Sequence, residues 1–233
     1  LNKVAALLLT AISFTVFANE AKIDKEAVIE KASKAHTELN ESLKEEKLQK
    51  YRDDIAVNAK NINSIKSSFR QVKYLSFLSD KVETGGIFLL KKENGTNLVK
   101  WQYTTPFAYQ IVLDGKSVYM KDGEKVSRFD MSSNSVFEEL NEIMIKSLNG
   151  TILSENEKFS FELYERGREL FVSMTPSNST IKEYFKLIRI VIDKKDYTVT
   201  KLEMVETGGD STEIFFNERK INTPVDKSEF QLK

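Results

Sequence analysis

The chain of 233 residues has no cysteine, one histidine, one tryptophan and only three prolines. Without cysteine there is no thiol nucleophile, no disulfide framework and no Cys-ligated metal. The single histidine, His36, lies in a charged helical run and reads as a solvated surface residue. That removes Ser–His relays and His-based metal sites. Nor is there a glycine-rich phosphate loop, since Gly85-Gly86 and Gly208-Gly209 read as turns. Charge of either sign is not in excess. Lys plus Arg and Asp plus Glu each number 35, so no global field favours nucleic acid or an acidic substrate. Carboxylates are plentiful, but pairs such as Glu45-Glu46 and Glu138-Glu139 sit in ordinary solvated helical sequence. No residue is assigned as catalytic, cofactor-binding or metal-binding, and the chain is read as a non-enzyme.

What is present is a hydrophobic fraction of 40% with 30% charged residues, the balance of a globular protein, at a length that suits one large domain. The run from Val4 to Ala18 is apolar and uncharged behind Lys3, and Val16-Phe17-Ala18 has the small residues of a cleavage site. It is too short to span a bilayer. Residues 1–18 are therefore expected to be a cleavable signal peptide directing a soluble protein across a membrane. The start at Leu1 rather than Met is expected if the basic head of that leader lies upstream. Residues 19–60 form a charged, helical segment. Its more amphipathic part, Tyr51 to Ile65, with Ile55, Ala59, Ile62 and Ile65 at helical spacing, is expected to pack on the body.

From there the period falls to two. A first strand is expected from Ser68 through Tyr74 and on to Leu78. Gly85-Gly86 opens a second, and Asn94-Gly95 turns it into a third. Val99, Trp101 and Tyr103 alternate with Leu98, Lys100 and Gln102. After Pro106 the alternation resumes with Phe107, Tyr109, Ile111 and Leu113, followed by an Asp114-Gly115 turn. Two more strands surround Asp122-Gly123. Ser135 to Leu148 is then an amphipathic helix, capped by Asn134 or Ser135 and ended by Gly150. Further strands follow to Phe216. The count of ten or eleven strands in one run implies an antiparallel sheet that curls to manage its edges, with helices over its mouth.

The residues Phe69-Arg70-Gln71, Gly86, Trp101-Gln102-Tyr103-Thr104-Thr105-Pro106, Asp114-Gly115-Lys116, the helix from Ser135, and Gly209-Asp210 before Ile214-Phe215-Phe216 occur together and in this order. In that combination the sequence resembles the LolA family of periplasmic outer-membrane lipoprotein carriers over residues 61–233, and most resembles its Bacteroidetes-like members. The resemblance implies a mainly β, α+β fold: an unclosed antiparallel barrel with a helical lid and a hydrophobic cavity for acyl chains. It also implies acylated lipoproteins as cargo, an inner-membrane ABC-type release complex and an outer-membrane acceptor as partners, no cofactor, and a periplasmic monomer. Where the family has Lys-Arg-Pro before the Trp strand, this chain has Lys91-Lys92-Glu93, so Lys92 is the candidate lid latch.

The residues assigned to acyl chains are Phe69, Val99, Trp101, Tyr103, Phe107, Tyr109 and Ile111 on the sheet, and Phe137, Leu140, Met144 and Leu148 on the helix. A carrier must hide a tail worth on the order of 10 kcal/mol and still release it, which favours a smooth apolar lining over directed polar contacts. Each of these side chains also suits an ordinary filled core. Two other readings stay open on the sequence alone: a lipid-sensing regulatory module on the same fold, and a carboxylate-based hydrolase of lipid or glycan.

Overall fold

Alternating polar and apolar residues along most of the chain leave the backbone few options but to pair strand with strand. The computed structural model describes residues 45–78, 80–130, 135–148, 151–154, 157–177 and 179–232. The expected leader, the first part of the charged segment, and the caps at Asn134 and Gly150 lie outside them. Helix α1 spans Glu45–Asn61. Strands β1 (Ser64–Tyr74), β2 (Val82–Glu93), β3 (Thr96–Thr105), β4 (Tyr109–Leu113), β5 (Ser117–Asp122) and β6 (Lys125–Asp130) follow. Helix α2 (Ser135–Leu148) and a 3₁₀ turn at Thr151–Ser154 lead to β7 (Phe159–Arg166) and β8 (Glu169–Pro176). A one-turn helix α3 (Ser179–Lys182) precedes β9 (Phe185–Asp193), β10 (Thr198–Glu206) and β11 (Ser211–Ile221). A 3₁₀ turn at Lys227–Phe230 ends the described chain.

The strands form a single 11-stranded sheet in the order β6-β5-β4-β3-β2-β1-β11-β10-β9-β8-β7. Two meanders, β1–β6 and β7–β11, are thus joined where β1 pairs with β11, antiparallel like its other neighbour β2. The sheet does not close: β6 and β7 are free edges, and the chain between them is the stretch that carries α2. One hydrophobic cluster runs from Val118 and Trp101 through Phe69 and Phe216 to Ile190 and Leu163, and takes in Ile55 of α1, Ile62 just after that helix, and Ile143, Ile145 and Leu148 of α2. Side chains from distant strands share one core only because the sheet curls around it. On the outer face a smaller cluster of Leu89, Val112, Val225 and Phe230 is covered by the C-terminal strap. There the Lys100 ammonium is buried and donates to the carbonyls of Glu229 (2.9 Å) and Gln231 (3.1 Å).

Three expectations need correction. Helix α1 ends at Asn61, and Ile65 is already in β1. Strand β1 stops at Tyr74, so Phe77 lies in an exposed turn. Gly85-Gly86 is not a turn. It lies inside β2, where the register with β3 slips by one residue. A Cβ on Gly86 would stand 1.9 Å from the Gln102 carbonyl oxygen, so the strand needs glycine there for close approach.

Candidate functional site

The concave face can be read row by row from the register. Phe69 pairs with Gly86 on one side and Phe216 on the other; Gly86 pairs with Tyr103, and Tyr103 with Tyr109. In the next row Phe88 pairs with Trp101 and Trp101 with Ile111. The missing side chain at Gly86 lets the rings on either side of it meet. Phe69 stands edge-on to Tyr103 (centroids 5.0 Å, 85°) and to Trp101 (5.0 Å, 81°). Phe88 lies 4.6 Å from Trp101 and 5.6 Å from Phe216. These edge-to-face arrangements are the favourable geometry for aromatic pairs and fix the shape of this wall.

Most of the expected residues are brought together here. Phe69, Val99, Trp101, Tyr103, Ile111 and Leu148 are buried in one cluster, with Tyr109 and Met144 packed partly buried against it. Phe107 is not among them and corrects the expectation. It is 57% exposed, in the bend at 106–108, because Pro106 cannot enter the ladder and β4 begins only at Tyr109. Phe137 and Leu140 lie on α2, but their side chains are outside the described ones. Two central rings, Phe88 and Phe216, escaped the sequence assignment although both keep the two-residue phase of Gly86 and Ile214. Among the described side chains of α2 the buried ones are Asn141, Ile143, Ile145, Ser147 and Leu148, where the helix touches β10, the 3₁₀ turn after it and α3.

The opposite half of the concavity is aliphatic. Leu163, Val172, Ile190, Leu202 and Ile214 form one continuous row across β7 to β11, each paired with the next. Where Leu148 of α2 meets the sheet, a partly open pocket of about 10 Å³ remains between Ile65, Phe88, Thr198, Val199, Phe216 and Arg219, room for about one water.

Helix α1 is held to the sheet by polar contacts at both ends. Its last turn carries the orphan carbonyls common to helix C-termini. Lys92 of β2 donates its ammonium to the Ala59 carbonyl at 2.8 Å, and burial holds that ammonium below the usual lysine pKa. Asn222, at positive φ after β11, donates to the Asn61 carbonyl (2.8 Å) and accepts from the Asn63 amide (2.7 Å). Farther back, Glu165 of β7 accepts from Lys47, from the Tyr51 hydroxyl (2.6 Å) and from Lys194 (3.1 Å). The Lys47 and Tyr51 hydrogen bonds pull the Glu165 carboxyl down to about 2. Tyr197 donates to Asp54 (2.9 Å), and Asn58 to the Asp196 carbonyl (2.8 Å). The helix therefore bridges β2 on one half of the sheet to β7 on the other.

At the end of the concavity away from α1 the lining turns polar. Gln71 pairs with Thr84, and Lys73 with Thr212, all facing inward beside Phe69. The Tyr103 hydroxyl donates to Gln71 Oε1 (3.2 Å), and burial pushes the Tyr109 phenol up to about 12. Lys73 lies 3.7 Å from Glu206, whose carboxyl is raised by burial. Among the described residues no three His, Asp or Glu side chains gather for a metal ion, and no helix is long and apolar enough to cross a membrane.

The chain can now be set beside known proteins. It is 24% identical over 136 residues to the outer-membrane lipoprotein carrier protein of Pseudoalteromonas translucida, covering 58% of this chain and 61% of that one. Staphopain B of Staphylococcus aureus is 32% identical over 115 residues, covering 44% of this chain and 27% of that one. The chain thus spans about three-fifths of the first relative and about a quarter of the second. Among solved structures, lipoprotein LppX of Mycobacterium tuberculosis superposes with a TM-score of 0.46 at 12% identity, covering 78% of this chain and 99% of that one. The profile of the family described as "Outer membrane lipoprotein carrier protein LolA" matches residues 60–233, three-quarters of the sequence and the whole of the curled sheet, so the chain belongs to the LolA family.

Proposed function

We propose that this chain is a non-catalytic periplasmic carrier that shields the acyl chains of lipoproteins and passes them from the inner to the outer membrane. An inner-membrane ABC-type release complex would load it, an outer-membrane acceptor would unload it, and it would work as a monomer. The observation that carries this reading is an apolar interior walled by an unclosed sheet and covered by helices, with α1 seated on it through buried Ile55 and Ala59 and fastened by polar contacts along its length. Such contacts exchange readily for water, so the cover can lift at a cost of a few kcal/mol while a buried tail returns about 0.8 kcal/mol per CH₂. In the closed arrangement Phe69, Val99, Trp101, Tyr103, Ile111 and Leu148 fill the interior themselves. Acyl chains would replace the contacts that α2 now makes, with Tyr109 and Met144 at the margin adapting to them.

The test is release of lipoproteins from spheroplasts into a soluble complex with the purified chain. Met144→Glu, at a partly buried margin where the fold tolerates change, should cut release several-fold; Val99→Glu is unsuitable because Val99 is fully buried. Binding of lipoprotein without release would favour a sensor, and turnover of lipid or glycan a hydrolase. Either result, or release unaffected by Met144→Glu, would overturn the assignment.

A further inference from the structure

The polar end of the concavity contains hydroxyl groups that the fold itself leaves idle. Thr84 is 5% exposed and Thr212 is 2% exposed, and neither Oγ1 has a hydrogen-bond partner; the Tyr109 hydroxyl, beside Tyr103, has none either. A buried hydroxyl without a partner costs about 1–3 kcal/mol, and valine would fill each threonine position without that cost. The two threonines flank β1 on either side, opposite Gln71 and Lys73 respectively. Lys73, 5% exposed, lies at the same end with its ammonium 3.7 Å from the Glu206 carboxylate. The end is therefore rich in donors, and it abuts the ring wall formed by Phe69, Trp101 and Tyr103.

We propose that this donor-rich end holds the ester carbonyl oxygens at the head of a diacylated ligand, with the chains lying along the apolar wall. Thr84 and Thr212 donate to the carbonyls. A hydroxyl with one lone donor matches a carbonyl, which only accepts. The proposal rests on the carrier reading for the chains and adds what recognises the head. A diacylglyceryl-cysteine and a phospholipid share these esters, so both are tested.

Trp101, the only tryptophan, sits in the ring wall and reports binding through its fluorescence. The probes are a synthetic triacylated cysteinyl lipopeptide, its diether counterpart lacking the two ester carbonyls, and phosphatidylethanolamine. The wild-type chain should prefer the ester-linked lipopeptide over the diether by about tenfold, corresponding to roughly threefold for each of the two hydroxyls engaged. Thr84→Val with Thr212→Val should erase that preference and leave diether binding intact, and Thr84→Ser with Thr212→Ser, which keeps the hydroxyls, should restore it. No ester preference in the wild type, or a preference that survives the double valine variant, overturns this proposal while the carrier reading stands. Binding of phosphatidylethanolamine but not of lipopeptide removes the carrier reading and leaves the ester site. Binding of none of the three removes both.

Discussion

The two halves of the concave face are built from different materials. From β1 to β4 the lining is rings, held edge to face at centroid distances near 5 Å around a glycine that makes space for them. From β7 to β10 it is Leu163, Val172, Ile190 and Leu202, branched aliphatic side chains with no directional preference among them. Rings whose edges meet faces have one good arrangement; aliphatic groups have many of nearly equal energy. The ring half is thus the fixed wall and the aliphatic half the adaptable one. Helix α2 rests on the aliphatic half through β10, the surface best able to repack.

The largest contrast should come from changes of one carbon on each wall. Gly86→Ala drives a Cβ into the Gln102 carbonyl, and because the obstacle is backbone it cannot rotate away. We expect a loss of about 3 kcal/mol in urea unfolding, at the upper end of ordinary overpacking. Ile190→Val, removing one methyl from the aliphatic wall, should cost only about 1 kcal/mol. Equal costs on the two walls would break the distinction between fixed and adaptable halves.

The same contrast governs what the sequence could tell. Strand alternation exposed nearly the whole sheet, because a face buried against one core must be apolar every second residue. Trp101 and Tyr103 are legible as inward-facing residues for that reason, whereas Lys92 draws notice only through the resemblance, as the residue standing where the family has Arg. What the sequence concealed depends on partners across strands. Gly86 looked like a turn because a bulge and a turn both call for glycine, and only the neighbouring Gln102 carbonyl distinguishes them. Phe107 kept the alternating phase, yet the bend at Pro106 placed it outside. Asn222 has no local signature that ties it to Asn61, 161 residues earlier. The idle hydroxyls of Thr84 and Thr212 were equally invisible, since threonine is an ordinary strand residue whose lack of a partner can be known only in three dimensions.

Helix α1 spans both halves, and its two anchors give the next test. Lys92 ties it to the ring half by one charge-assisted hydrogen bond to a C-terminal carbonyl, where a cation also opposes the helix dipole. Lys92→Met keeps the stem and removes the ammonium. The loss should be about 1 kcal/mol, partly offset because a half-buried charge no longer has to be desolvated, and it should appear as faster amide exchange at the C-terminal turn of α1. Unchanged exchange there would show that Asn222 holds that end without help.

The anchor on the aliphatic half should give the smallest effect at neutral pH and the clearest signature in acid. Glu165 has its carboxyl pulled from an ordinary 4.5 to about 2 by Lys47 and Tyr51. A carboxyl with a depressed folded-state pKa stabilises fully above the unfolded value, and that contribution fades as pH falls from about 4.5 to about 2. Protection of the amides in the first turns of α1, measured against the intrinsic exchange rate at each pH, should therefore fall across that window in the wild type. Whole-molecule melting is a poorer measure, because Asp193, bound by Arg168 at 2.6 Å, is also lowered to about 2 and titrates in the same range. In Glu165→Gln the amide accepts weaker hydrogen bonds and carries no charge, so protection of α1 should already be lower at pH 6 and should fall less between pH 4.5 and 2, the remainder coming from Asp54, whose carboxyl Lys50 and Tyr197 also hold low. Parallel pH profiles in the two proteins would mean that α1 is held to β7 by packing of Ile55 and Tyr51 rather than by charge.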